Sequence, residues 1–102
     1  PSRNARHGLL FFRDGIRNLK NAKYKNDHSA LDESSACEID RQFSKAYLRH
    51  LFAAEETLAY EIATLHNLHF FVALAREARA RIFDGTFLAW KRTLAPALDR
   101  RL

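Results

Sequence analysis

Cysteine is nearly absent from these 102 residues: Cys37 stands alone, so no internal disulfide can form and nothing argues for a secreted, cross-linked domain. Long apolar runs are missing too. The longest, "GLLFF" and "LHFFVALA" (the latter broken by His69), fall far short of the ~20 residues a membrane span needs. No signal-peptide pattern opens the sequence, and a cytoplasmic location without membrane insertion is expected. With only three glycines there is no Gly-rich phosphate loop, and neither a Ser-His-Asp set nor a close pair of His ligands of the H-E-x-x-H kind is present. Arg76, Arg79 and Arg81 are interrupted by Glu77 and followed by Asp84, a solvated face and not a membrane-surface helix.

What is there is one small domain's worth of chain, 47% hydrophobic and 28% charged, which is the composition of a folded protein. Seventeen Lys and Arg against twelve Asp and Glu leave a charge of +5. That balance favours an acidic partner such as nucleic acid.

Residues Gly8 to Phe12, an Arg13-Asp14-Gly15 turn signal and Ile16 to Lys20 predict a β-hairpin. Residues 21 to 36 are polar, without sustained period, and predict a loop or extended crossing. From Phe43 the apolar positions step by three or four through Tyr47, Leu48, Leu51, Phe52, Leu58, Ile62, Leu65, Leu68 and Phe71, which is helical spacing. One helix or two is left open, since "AAEET" contains neither Gly nor Pro, although a bend near Glu55 is allowed. Gly85 fits a helix end, Thr86 the cap of a further helix from Phe87 to Leu94, and Pro96 its stop. The expected class is therefore α+β, mostly α: an N-terminal segment of hairpin and loop (1–36), then a helical subdomain (37–102).

Ser35, Cys37 and Asp40 followed by His66 reproduce the layout of C-x-C-x-x-C with a distant helical histidine, by which a loop and a helix close a tetrahedral zinc site. Together with "PSRNARHGLLFFRDGIRNLKNAKYKND", "FSKAYLRHL", "TLHNLHFF" and "FDGTFLAW", this layout resembles the C-terminal part of bacterial tRNA-guanine transglycosylase, the queuine tRNA-ribosyltransferase family. The resemblance covers nearly the whole chain in order. It implies a (β/α)-barrel enzyme that exchanges the wobble guanine of tRNA for a 7-deazaguanine through a covalent aspartyl intermediate. The nucleophile would lie just upstream of the Pro-Thr-Arg motif that Pro1-Ser2-Arg3 resembles, so no Asp of this chain is assigned to catalysis.

By the same resemblance, Arg3 and Arg6 would face the anticodon loop of tRNA, and the helix bearing Phe43, Tyr47 and His50 would lie at a homodimer interface. From spacing alone those three are a helical stripe, core by default. Cys37 and His66 match the family's zinc ligands by type, whereas Ser35 and Asp40 stand where it has cysteine. Serine is a poor zinc ligand and aspartate an acceptable one. Two readings stand: a weakened zinc site of Cys37, Asp40, His66 and water, or a loop held by hydrogen bonds with Cys37 a remnant. The expected function is the C-terminal region of a tRNA-guanine transglycosylase, inactive alone and supporting tRNA binding and dimerisation; the alternative is an independent, non-catalytic tRNA-binding or dimerisation module.

Overall fold

The computed structural model describes residues 2–35 and 37–102. Helix α1 (Ser2–Arg6) leads into strands β1 (Leu9–Phe12) and β2 (Gly15–Asn18), followed by a 3-10 turn at Ala22–Tyr24 and a loop. Four helices complete the chain: α2 (Glu38–Gln42), α3 (Lys45–Ala53), α4 (Thr57–Asp84) and α5 (Phe87–Leu98). The class is the expected one, α+β and mostly α, with the hairpin first.

The strands pair antiparallel, Phe12 opposite Gly15 and Leu9 opposite Asn18, so the connecting turn is Arg13-Asp14 and Gly15 already belongs to the strand. Leu10 and Phe12 point inward, at 0% and 4% exposure. They join Ala5, Leu19, Tyr24 and Leu31 to Leu48, Leu51, Phe52, Ala59, Ile62 and Ala63 in one core drawn from both the hairpin segment and the helices. Burying a Leu- or Phe-sized side chain stabilises by roughly 1.5–3 kcal/mol, so this shared core fixes the hairpin against α4.

Both outer edges of the hairpin are covered. Along β2, Ile16 donates to the Arg100 carbonyl at 2.7 Å and Leu102 donates to the Ile16 carbonyl at 2.9 Å, laying the C-terminal residues beside the strand. Gly15 makes this approach feasible: at φ +146° its absent Cβ would sit 2.4 Å from the Arg100 oxygen. Along β1, the Asn67 side chain takes the place of a third strand, accepting from the Phe11 amide at 3.1 Å and donating to the Leu9 carbonyl at 3.0 Å. Unpaired strand edges recruit other chains, and here both are occupied.

The helical region divides more finely than the spacing predicts. Ser44 caps α3 by accepting from the Tyr47 amide, which makes Phe43 the residue after α2 instead of the first of a continuous helix. α3 and α4 are separate, broken around Glu55, whose φ of +56° lies in the left-handed region. Gly85 ends α4 at φ +78°, as expected. Thr86 precedes α5 without giving it a side-chain cap; its hydroxyl donates to Asp84 instead. Pro96 lies inside α5 and does not stop it: only the last turn follows, where a missing amide costs one bond and the Asp99 amide still reaches Ala95.

Candidate functional site

Arg3 and Arg6 lie one turn apart on α1, both exposed, while Ala5 between them is fully buried and fastens the helix to the core. Among the described residues neither arginine takes part in an ion pair. Two guanidinium groups are thus presented to solvent from a fixed base.

The second cluster joins the loop to α4. Asp40 on α2 and His66 on α4 are each 1% exposed, and His66 Nδ1 lies 2.6 Å from Asp40 Oδ1. The other ring nitrogen, Nε2, is 2.7 Å from the Phe11 carbonyl oxygen of β1. The Phe12 ring tilts against the imidazole at 4.6 Å between centroids. One side chain therefore ties loop, helix and strand together. Polar groups at this depth need hydrogen-bond partners, and these two side chains supply each other with one.

Ser35 accepts from the Cys37 amide at 3.0 Å, and Cys37 begins α2, half-buried, as a free thiol. Ser35, Asp40 and His66 line a cavity of about 170 Å³, and Cys37 is not among its lining residues. The residues singled out by spacing are thus brought together in part: Asp40 with His66, and Ser35 beside them. Among the described residues no group of three or more His, Cys, Asp or Glu side chains is arranged to hold a metal ion.

Phe43 and Tyr47 stack at 5.6 Å and 13° between planes, with Tyr47 41% exposed and His50 exposed on the same helix. Tyr47 and His50 face solvent, whereas Phe43, which precedes α3, is half-buried against the core. Sequence reasoning missed Asn67, which is fully buried although it is the most polar position of "TLHNLHFF". An amide on an apolar stripe was the signal, since a buried amide must find partners. It also missed Glu77, which accepts from both Arg13 guanidinium nitrogens, at 2.5 and 2.8 Å, and from Trp90 Nε1 at 2.8 Å, joining the hairpin turn to α4 and α5. The Arg13 hydrogen bonds, with help from Trp90, hold the Glu77 carboxyl below its ordinary range, and the Arg17 guanidinium does the same for Asp14.

Fold and site together define a hairpin-anchored helical module in which α2 is fastened to a long helix, and that helix to the hairpin, through Asp40, His66 and the Phe11 carbonyl. The queuine tRNA-ribosyltransferase family profile matches residues 1–100, and the chain belongs to that family. It is 45% identical over 100 residues to the queuine tRNA-ribosyltransferase of Syntrophobacter fumaroxidans, covering 98% of this chain and 26% of that protein. Against the enzyme of the same name from Caulobacter vibrioides it is 48% identical over 95 residues, 93% of this chain and 26% of the other. The Helicobacter pylori enzyme is 45% identical over 101 residues, 99% of this chain and 27% of that protein. The chain therefore spans about a quarter of the length of these curated relatives. No helix among the described residues is long and apolar enough to cross a membrane.

Proposed function

We propose that this chain supplies the tRNA-gripping and subunit-pairing part of wobble-base exchange in queuosine modification, and not its covalent chemistry. The observation that carries the reading is the pair of exposed arginines on a helix nailed down by Ala5. Arginine offers a planar fork that binds phosphate oxygens in pairs, and an immobile base lets that fork be aimed. The net charge of +5 draws RNA in without dictating sequence. Tyr47, stacked on the half-buried Phe43 and sharing α3 with His50, supplies aromatic surface of the kind that anchors protein interfaces, and a second copy of the chain is its intended partner.

Base exchange itself needs an activated nucleophile and a base-binding pocket. Asp40 is buried against His66, and Asp14 is bound to Arg17, so neither is poised to attack a sugar. Binding of an anticodon stem-loop at fixed salt, read alongside sedimentation of the same samples, tests the reading. Arg3→Ala with Arg6→Ala is expected to weaken binding and to flatten its salt dependence by roughly 0.7–0.9 for each phosphate no longer neutralised. Tyr47→Ala is expected to shift the chain toward monomer without that change in slope. A double arginine variant that binds like the parent removes the RNA reading, and a Tyr47 variant that sediments like the parent removes the pairing reading.

A further inference from the structure

The family resemblance calls for a zinc ion between the loop and α4, and the side chains present do not fit one. The Phe11 carbonyl oxygen can only accept, so the His66 Nε2 that faces it at 2.7 Å carries a hydrogen. Nδ1 is then the single nitrogen left for a metal, and its in-plane direction is taken by Asp40 Oδ1 at 2.6 Å. Two ligands of a tetrahedral zinc, each ~2.0–2.2 Å from the ion, stand ~3.3 Å apart. A contact of 2.6 Å leaves no place for the ion between them. Ser35, the remaining changed position, offers a neutral hydroxyl that already accepts from the Cys37 amide.

We propose that the Asp40–His66 pair stands in the place of the zinc ion, so that this subdomain closes without metal. The chemistry of the replaced position supports this directly. A cysteine at 40 would give a soft thiolate suited to zinc, whereas aspartate gives a hard, short acceptor suited to an imidazole N–H. The position at which the ligand changed is the one that now bonds the histidine. The His66 ring keeps its strand contact through Phe11, so the clasp joins the same three elements with one proton-sharing contact where four ligand bonds would be needed. The proposal rests on family membership and not on the tRNA reading, and it stands or falls on metal content and melting behaviour alone.

The test uses the 102-residue chain and zinc as the probe. After dialysis against zinc sulfate and then buffer, elemental analysis is expected to find far less than one zinc per chain, with the melting temperature unmoved by EDTA or by added zinc. Stoichiometric zinc that survives dialysis, or a melting temperature that EDTA lowers, overturns the proposal. Asp40→Asn, which keeps the shape but not the proton-sharing pair, is expected to lower the melting temperature by about 10 °C or more, and a variant that melts like the parent overturns it. Ser35→Cys with Asp40→Cys is expected to gain one zinc per chain and an EDTA-sensitive transition. If that variant takes up no zinc, the pair does not occupy the metal's place and the proposal fails.

Discussion

Replacing Asn67 by Leu tests whether α4 truly serves as the third strand of the hairpin. The amide is fully buried and makes two bonds to β1, to the Phe11 amide at 3.1 Å and the Leu9 carbonyl at 3.0 Å. Leucine has similar volume, so little cavity forms and the loss is chiefly polar. Two backbone groups of a partly buried strand edge would be left without their partner. Each such orphan costs about 1–3 kcal/mol, and extra apolar burial offsets part of it, so a net destabilisation of about 2–4 kcal/mol is expected. For a domain of this size that lowers the melting temperature by roughly 8–30 °C. Asn67→Asp should be comparably harmful, because it keeps the acceptor for Phe11 but turns a second oxygen toward the Leu9 carbonyl. Thermal melts followed by circular dichroism give the magnitude, and hydrogen exchange at the Phe11 amide gives the place. A Leu variant within about 1 kcal/mol of the parent, with Phe11 still protected, would refute the strand-mimic account.

Two other outcomes are expected. Glu55→Gly relieves a side chain held at φ +56° and should stabilise the chain by about 1 kcal/mol, raising the melting temperature by roughly 4–8 °C; an unchanged or lower value would mean the Glu55 side chain contributes more than its backbone costs. For Glu77, whose carboxyl is held below its ordinary 4.5 first by the Arg13 hydrogen bond, the associated stability is present above that value and lost as pH falls through the depressed one. Melts of Glu77→Gln should accordingly be less sensitive than the parent's to lowering the pH below 4.5, by under ~1 kcal/mol because Arg13 is 58% exposed and solvent screens the pair; equal pH sensitivity would show that the ion pair contributes nothing.

The hairpin and the long helix were legible because their signals are local: a turn dipeptide between apolar runs, and apolar residues at three- and four-residue steps. The break at Glu55 was not. Nothing in "AAEET" prefers the left-handed region, and the chain adopts it there because Leu51 and Phe52 on one side and Ala59 on the other must reach a single core. Pro96 misled for the opposite reason, since a helix that needs only two more residues loses little to a proline in its last turn. Spacing placed Asp40 and His66, 26 residues apart in the chain, with Cys37 in one candidate metal site, and the structure brings the first two into hydrogen-bond contact. What spacing could not carry was the third participant, the Phe11 carbonyl, because a backbone oxygen leaves no mark in a sequence. By taking Nε2, that oxygen leaves Nδ1 alone to face position 40, so the residue there decides what the imidazole binds.

The buried residues of α4 all fall between Ala59 and Asn67, while the helix continues to Asp84. It is a lever whose fulcrum is Glu77, the last point at which α4 is tied to the hairpin, through Arg13. From Glu77 to Asp84 the axis advances roughly 10 Å at 1.5 Å per residue, so a tilt of about 10° at the tied end swings the far tip by about 2 Å. Small adjustments of the Arg13–Glu77 tie are therefore carried out to Phe83 and Gly85, and that tie, with the bonds of His66 and Asn67 behind it, sets the aim of everything mounted beyond them.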